Sequence, residues 1–242
     1  MDELVIRADY TAAVTSFLRH NGLHRIVAFS GGADDKLHGV GDKKLVSDYE
    51  AVMSAKQERV VGDAIRKLRY YRIAVLTGGT KGGLPGTATS LAHEYGLKTI
   101  GVFPENARKK GYVLHDLLDL ELEVPAVYDQ SQWGDESPFF ASLLHGVFVY
   151  GGSAGTLIEM AHVLKINDRL NNKEQPLKFI VPISGTGGVA DGLRFIWAKP
   201  EIRDASMPKS VVLGGGDAAK AMIDQLELDD YYKDSYSNEE NS

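Results

Sequence analysis

GVFVYGGSAGTLIEMAHVLK, residues 146–165, decides how the rest of the chain is read. Gly146 to Tyr150 is a short apolar run of the kind that forms a buried strand, and it runs straight into a glycine loop, 151–156. Thr156 then opens a helix whose first turn contains Glu159, an acid three residues after a threonine, which is the spacing of a capping box. A strand, a glycine loop and a helix together make a phosphate cradle: glycines let backbone N–H groups approach an anion, and the helix N-terminus carries partial positive charge. Two roles for Thr156 and Glu159 follow. They satisfy backbone donors at a helix start, or Glu159 sets its carboxylate beside a bound sugar phosphate, where it activates water or stabilises positive charge on a ribose.

Working outward, the same arrangement recurs. RIVAF (25–29), RIAVL (72–76) and KFIVPI (178–183) are also β-rich runs, followed by SGGADD (30–35), TGGTKGGLPGT (77–87) and SGTGGVADG (184–192). KTIGVF (98–103) and SVVLGGG (210–216) are further strand candidates, and LELEVPAVY (120–128) is one more. Helical segments lie between them, among them 47–71, where Val60, Val61, Ala64, Ile65 and Leu68 recur at helical spacing. Strands that are apolar throughout and alternate with helices imply a parallel sheet covered on both faces. The expected fold class is therefore α/β: a single-domain Rossmann-like parallel sheet of about six or seven strands with helices on both faces. All four glycine loops would then gather at the carboxyl edge of the sheet, where such folds bind ligands.

The domain, 24–228, is expected to carry a helical extension at 1–23 and an acidic mobile tail at 229–242 (DDYYKDSYSNEENS). The long loop around 30–46, with Asp34 and Asp35, is placed to cover the pocket. Among 242 residues there is no cysteine, which excludes disulfides, thiolate catalysis and Cys-ligated metal sites. The seven histidines lack metal-ligand spacing, and no metal site is expected. A net charge of −6 argues against a nucleic-acid partner, no apolar run is long enough to span a membrane, and the N-terminus lacks a secretory pattern. These features predict a cytoplasmic protein whose partner is a small molecule.

The loop after RIAVL is not a Walker A loop, since Lys81 is followed by Gly82. It reads either as a tight turn within a parallel sheet or as a second cradle built from Gly78, Gly79, Thr80, Lys81, Gly82, Gly83, Gly86 and Thr87, ahead of a helix closing at Gly96. Gly31 and Gly32 after the first run, and Thr186 and Gly187 after the last, complete the candidate phosphate-binding set.

At two of these loops the chain resembles a known family. GGSAGTLIE is similar, without a gap, to the PGGxGTxxE signature of LOG-like proteins, formerly labelled lysine decarboxylase-like, within the SLOG superfamily of Rossmann-type nucleotide-binding domains. GGTKGGLPGTAT resembles that family's GGxxGxMG segment, and IVAFSGG its first strand and turn; the resemblance runs over about residues 24–226. It implies a nucleotide-type ligand whose phosphate lies on Gly151, Gly152, Ser153, Ala154, Gly155 and Thr156 and on the earlier loop, with no cofactor required beyond a bound nucleotide or an accompanying Mg²⁺. It further implies a nucleoside-monophosphate N-glycosidase, of phosphoribohydrolase type, with Glu159 as the catalytic residue. Active relatives pair that Glu with an Arg some fifteen residues before the signature, yet WGDESPFFASLLHG (133–146) contains neither Arg nor Lys. Gly151 and Ser153 also stand where the signature has Pro and Gly. Arg108, in the basic run with Lys109 and Lys110, is either the stand-in cation or part of a solvated loop, and Lys81 is a further anion ligand. PISGTGGVADGLR (182–194) resembles SLOG-type domains of melastatin-type TRP channels, which implies the alternative of a non-catalytic nucleotide or ADP-ribose sensor; molybdenum-cofactor carriers share the fold group. Family members are commonly homodimers or higher homo-oligomers, and the helix at 47–71 is the candidate interface.

Overall fold

The computed structural model describes residues 3–32, 43–126, 133–196 and 199–228. The expected tail at 229–242, and Asp34 and Asp35 of the expected covering loop, lie outside the described residues. Along the chain come α1 (Glu3–His20), β1 (Arg25–Gly31), α2 (Lys43–Leu68), β2 (Ile73–Thr77), α3 (Gly83–Glu94), β3 (Lys98–Pro104), α4 (Glu105–Lys109), β4 (Leu120–Val124), α5 (Ser137–Leu143), β5 (Gly146–Tyr150), α6 (Ala154–Asn171), β6 (Phe179–Pro182), α7 (Gly188–Ile196), α8 (Pro200–Ser206) and α9 (Gly215–Leu226).

The six strands form one sheet in the order β4-β3-β2-β1-β5-β6, and every pairing is parallel. From β1 the chain winds outward through β2, β3 and β4, then returns to β5 on the other flank of β1, so the winding direction reverses between β1 and β5. At such a switch point the two outgoing loops diverge and leave a crevice.

Strand alternation sorts the core into two layers. Val27, Phe29, Val75, Phe148 and Val181 face α2, α3 and α9, where they meet Ile65, Leu84 and Met222. Ile26, Ala28, Leu76, Val147 and Val149 face the other way, onto Phe140 of α5, Met160 of α6 and Val14 of α1. Phe29 and Phe148 are neighbours across the β1–β5 pair with ring centroids 4.9 Å apart, a contact that contributes about 1 kcal/mol beyond its buried area. The N-terminal segment forms α1, Glu3–His20. It packs on β4 and α5 through Tyr10, whose hydroxyl donates to the Glu123 carbonyl and whose ring meets Phe139 edge-on at 5.4 Å.

Two elements differ from the sequence reading. SVVLGGG (210–216) is not a strand: Val212 makes a single parallel bridge to Ile183, and α9 starts at Gly215, so close to α2 that a Cβ there would overlap the Val60 carbonyl. The helix after RIAVL begins at Gly83, inside the glycine loop, because Pro85 suits a first turn that needs no N–H from it.

Candidate functional site

Ser30, the penultimate residue of β1, lies on the face that carries α6, one residue before Gly31. Gly31 is required there, because a Cβ would overlap both the Tyr150 carbonyl and the Leu84 side chain. Across the switch point, β5 delivers Gly151 and Gly152 in positive-φ conformations, at 56° and 93°. A Cβ on Gly152 would strike the Thr156 side chain, so the loop folds tightly over the start of its own helix. The fourth loop locks this turn from outside. The Gly151 N–H donates to Thr186 Oγ1 at 2.9 Å, and Val189 and Ala190 donate back to the Gly152 and Gly151 carbonyls at 3.1 and 3.0 Å.

The result is an exposed helix start. Ser153 is the N-cap residue of α6 and its side chain makes no capping bond; Thr156 is the third residue of the helix, not its cap. The Leu157 N–H is the first to find a helical partner, the Ser153 carbonyl at 3.0 Å. Among the described residues no acceptor takes the N–H groups of Ala154, Gly155 or Thr156. Three convergent donors at the positive end of an 18-residue helix suit a phosphate.

Glu159, one turn further on, does not close a capping box. Its carboxylate accepts a hydrogen bond from the Ser30 hydroxyl, linking α6 to β1 across the switch point. Burial pushes its pKa up to about 7, and the Glu136 carboxylate adds to the rise, while the Ser30 bond opposes it. Glu136, just before α5, is itself raised by burial and takes the Gly134 N–H at 2.8 Å. An acid thus stands in the segment where a cation was sought. Near neutral pH, Glu159 is poised between acid and base.

The second candidate cradle is engaged by its own chain. The Gly79 N–H donates to Thr77 Oγ1 at 3.0 Å, and the Lys81 N–H to the Tyr112 carbonyl at 2.7 Å. Thr80 bridges Val113, and Lys81 Nζ holds the Gly111 carbonyl at 2.9 Å. In the first turn of α3 the Leu84 N–H goes to Gly32 and residue 85 has none to give, which leaves Gly83. Lys81, Gly82, Gly83, Gly86 and Thr87 instead line a groove of about 430 Å³ between α2 and α3. Gln57 of α2, almost fully buried, reaches Thr87 Oγ1 at 3.0 Å.

Of the fourth loop's expected ligands, Thr186 donates to the Ile183 carbonyl, and the N–H groups of Gly185 and Gly187 are filled by the Asp191 carboxylate at 2.6 and 3.0 Å. Arg108 is not brought to Glu159. It is clamped by Glu121 and Glu123 of the edge strand β4, three strand spacings, about 14 Å, from β1. Among the described residues no three His, Asp or Glu side chains cluster as a metal site, and no helix is long and apolar enough to cross a membrane.

Ser30 and Glu136 were missed by reading the sequence, although SGG and the 133–146 stretch were both singled out. The signal for Ser30 lay in the alternation of β1, which puts it on the α6 face.

A parallel sheet with its switch point between two glycine loops is a Rossmann-like fold, the fold that the motif resemblance implied. Solved structures share it. The structural-genomics protein TM1055 superposes with a TM-score of 0.55 at 17% identity, covering 84% of this chain and 99% of its own. The molybdenum cofactor carrier protein of Chlamydomonas reinhardtii gives 0.55 at 17%, with 84% and 98% covered. The molybdenum cofactor binding protein of Rippkaea orientalis gives 0.54 at 14%, with 84% and 96% covered. No family model matches the sequence, and no curated protein matches it significantly.

Proposed function

We propose that the chain binds a small phosphorylated nucleoside or nucleotide derivative at the β1–β5 switch point, with its phosphate on the amides of Ala154, Gly155 and Thr156. The observation that carries this reading is the uncapped start of α6. The loops after β2 and β6 use several of their donors internally, while three successive amides of α6 have no acceptor among the described residues. Binding or carriage without turnover is favoured by the placing of charge: Glu136 lies in the segment where catalysis would need a cation, and Arg108 is committed to the far edge of the sheet. The molybdenum cofactor binding and carrier proteins that share the fold point the same way.

A second reading, hydrolysis of the N-glycosidic bond, is favoured by the Glu159 pKa of about 7. In that reaction the C1′–N bond breaks, the departing base takes a proton from Glu159, water adds to C1′ as a hydroxyl, and its other proton returns to the Glu159 carboxylate. Calorimetry with nucleoside monophosphates and ADP-ribose, followed by chromatography of the mixtures, separates the readings. Binding with intact ligands supports carriage or sensing. Free base from the wild type, lost by about 10²-fold or more in Glu159→Gln, establishes the hydrolase. Absence of binding by every phosphorylated ligand overturns both.

A further inference from the structure

At the same edge of the sheet, Tyr112 and Trp133 stack with ring centroids 6.4 Å apart and planes 21° from parallel. Tyr112 is 47% and Trp133 38% exposed, and the Lys110 ammonium lies over the Trp133 ring, 5.9 Å from its centroid. Each is held by backbone that belongs to the site. The Tyr112 carbonyl takes the Lys81 N–H, so its ring is fixed to the loop after β2. Trp133 precedes Gly134, whose N–H is bound by Glu136, the acid that acts on Glu159. A Cβ on Gly134 would lie 3.8 Å from Ile158, the residue before Glu159. Trp133 is thus tied to the segment that touches α6, and Tyr112 to the loop after β2.

The ring spacing indicates what the pair receives. Direct aromatic pairs have centroids about 4.5–7 Å apart, and this one lies toward the open end of that range. The 6.4 Å separates ring centroids and not planes, so a flat ring would stack, at about 3.5 Å, on whichever ring surface of the pair solvent reaches. We infer that Tyr112 and Trp133 seat the planar base of the phosphorylated ligand while its phosphate rests on α6. This rests on the phosphate reading of α6 and deepens it, because it requires the ligand to carry an aromatic heterocycle. Recognition by ring faces tolerates different bases, since every base has a π-face.

The test uses the full chain with Trp197→Phe, which leaves Trp133 as the sole tryptophan of the two in the sequence. AMP and GMP are titrated against ribose 5-phosphate, which has the phosphate and the sugar but no ring. AMP and GMP are expected to quench Trp133 fluorescence, and ribose 5-phosphate to leave it unchanged. Trp133→Ala should weaken AMP binding about ten-fold, with ribose 5-phosphate affected less than about two-fold; Trp133→Phe should restore most of the loss, and Tyr112→Ala should repeat it. Equal effects on ringed and ringless ligands, or none on either, overturn the base seat. So does ribose 5-phosphate binding as tightly as AMP in the wild type, with the phosphate reading left standing. If neither AMP, GMP nor ribose 5-phosphate binds the wild type, the phosphate reading fails and the base seat with it.

Discussion

The loops after β2 and β5 look alike as strings of glycine, yet they end in opposite states. After β2 the chain folds onto the 111–114 segment: the Lys81 amide and ammonium donate to the Tyr112 and Gly111 carbonyls, the Gly79 carbonyl accepts from Leu114, and the Gly79 amide donates to Thr77 Oγ1. After β5 the chain turns over its own helix, the fourth loop satisfies Gly151, and three amides of α6 find no acceptor among the described residues. Glycine marks where backbone must come close to something. Whether that is another stretch of chain or a ligand depends on which donors are left over.

Gly152→Ala attacks the β5 loop and carries the largest expected effect on stability. Its φ of 93° belongs to a region that side chains avoid, and the new methyl would meet Thr156. Strain of about 1–2 kcal/mol and overpacking of about 1–3 kcal/mol should lower stability by about 3 kcal/mol in urea unfolding. An unchanged midpoint would mean that the loop is not the tight turn described.

Glu159→Gln sharpens the comparison through pH. The Glu159 carboxyl titrates near 7 in the folded chain, against an ordinary value of 4.5. Between those values the folded state holds the proton and the unfolded state does not, so wild-type stability should fall as pH rises from about 4.5 to 7 and then level off. The ceiling is about 3 kcal/mol, because Glu159 retains some contact with solvent. Gln abolishes the titration, so the variant should be the more stable protein at pH 8 and show little advantage at pH 4.5. A variant that gains nothing at pH 8 would show that Glu159 is comfortably ionised in place.

Lys81→Ala tests the β2 loop. Its ammonium holds Gly111 at an exposed position, and exposed contacts of this kind contribute little. Affinity for a phosphorylated ligand should change by less than about three-fold, in contrast to loss of the α6 site. A drop of a hundred-fold would make the β2 loop the anion site and reverse the assignment.

The strands were legible in the sequence because a parallel sheet buried on both faces leaves continuous apolar runs: GVFVY and RIAVL match β5 and β2 to within a residue. The start of α3 was not, since glycine-rich sequence reads as loop and nothing local shows that the helix already begins at Gly83. Val212 was misread because an apolar run beside glycines resembles a strand, while Gly215 is needed for the approach of α9 to α2. Glu159 was legible from its motif, but its partner was not: Ser30 lies 129 residues away and meets it only once β1 and β5 are paired. The clamping of Arg108 is likewise a tertiary fact, fixed by the register of β4 against β3.

The smallest expected effect separates glycine needed for shape from glycine needed for approach. Gly86 lies in the first turns of α3, its φ is not positive, and a Cβ there would meet the Thr80 carbonyl at 3.5 Å, an ordinary contact. Gly86→Ala should therefore behave as a helix substitution and stabilise the chain by about 0.5–1 kcal/mol, through the lost freedom of the unfolded state. If the groove lined by Gly86 and Thr87 were the phosphate site, the added methyl would instead crowd the ligand, and affinity would fall while stability rose. Unfolding and ligand titration on this one variant thus separate the two roles: a stabler protein with unaltered affinity leaves the Ala154, Gly155 and Thr156 amides of α6 as the anion site.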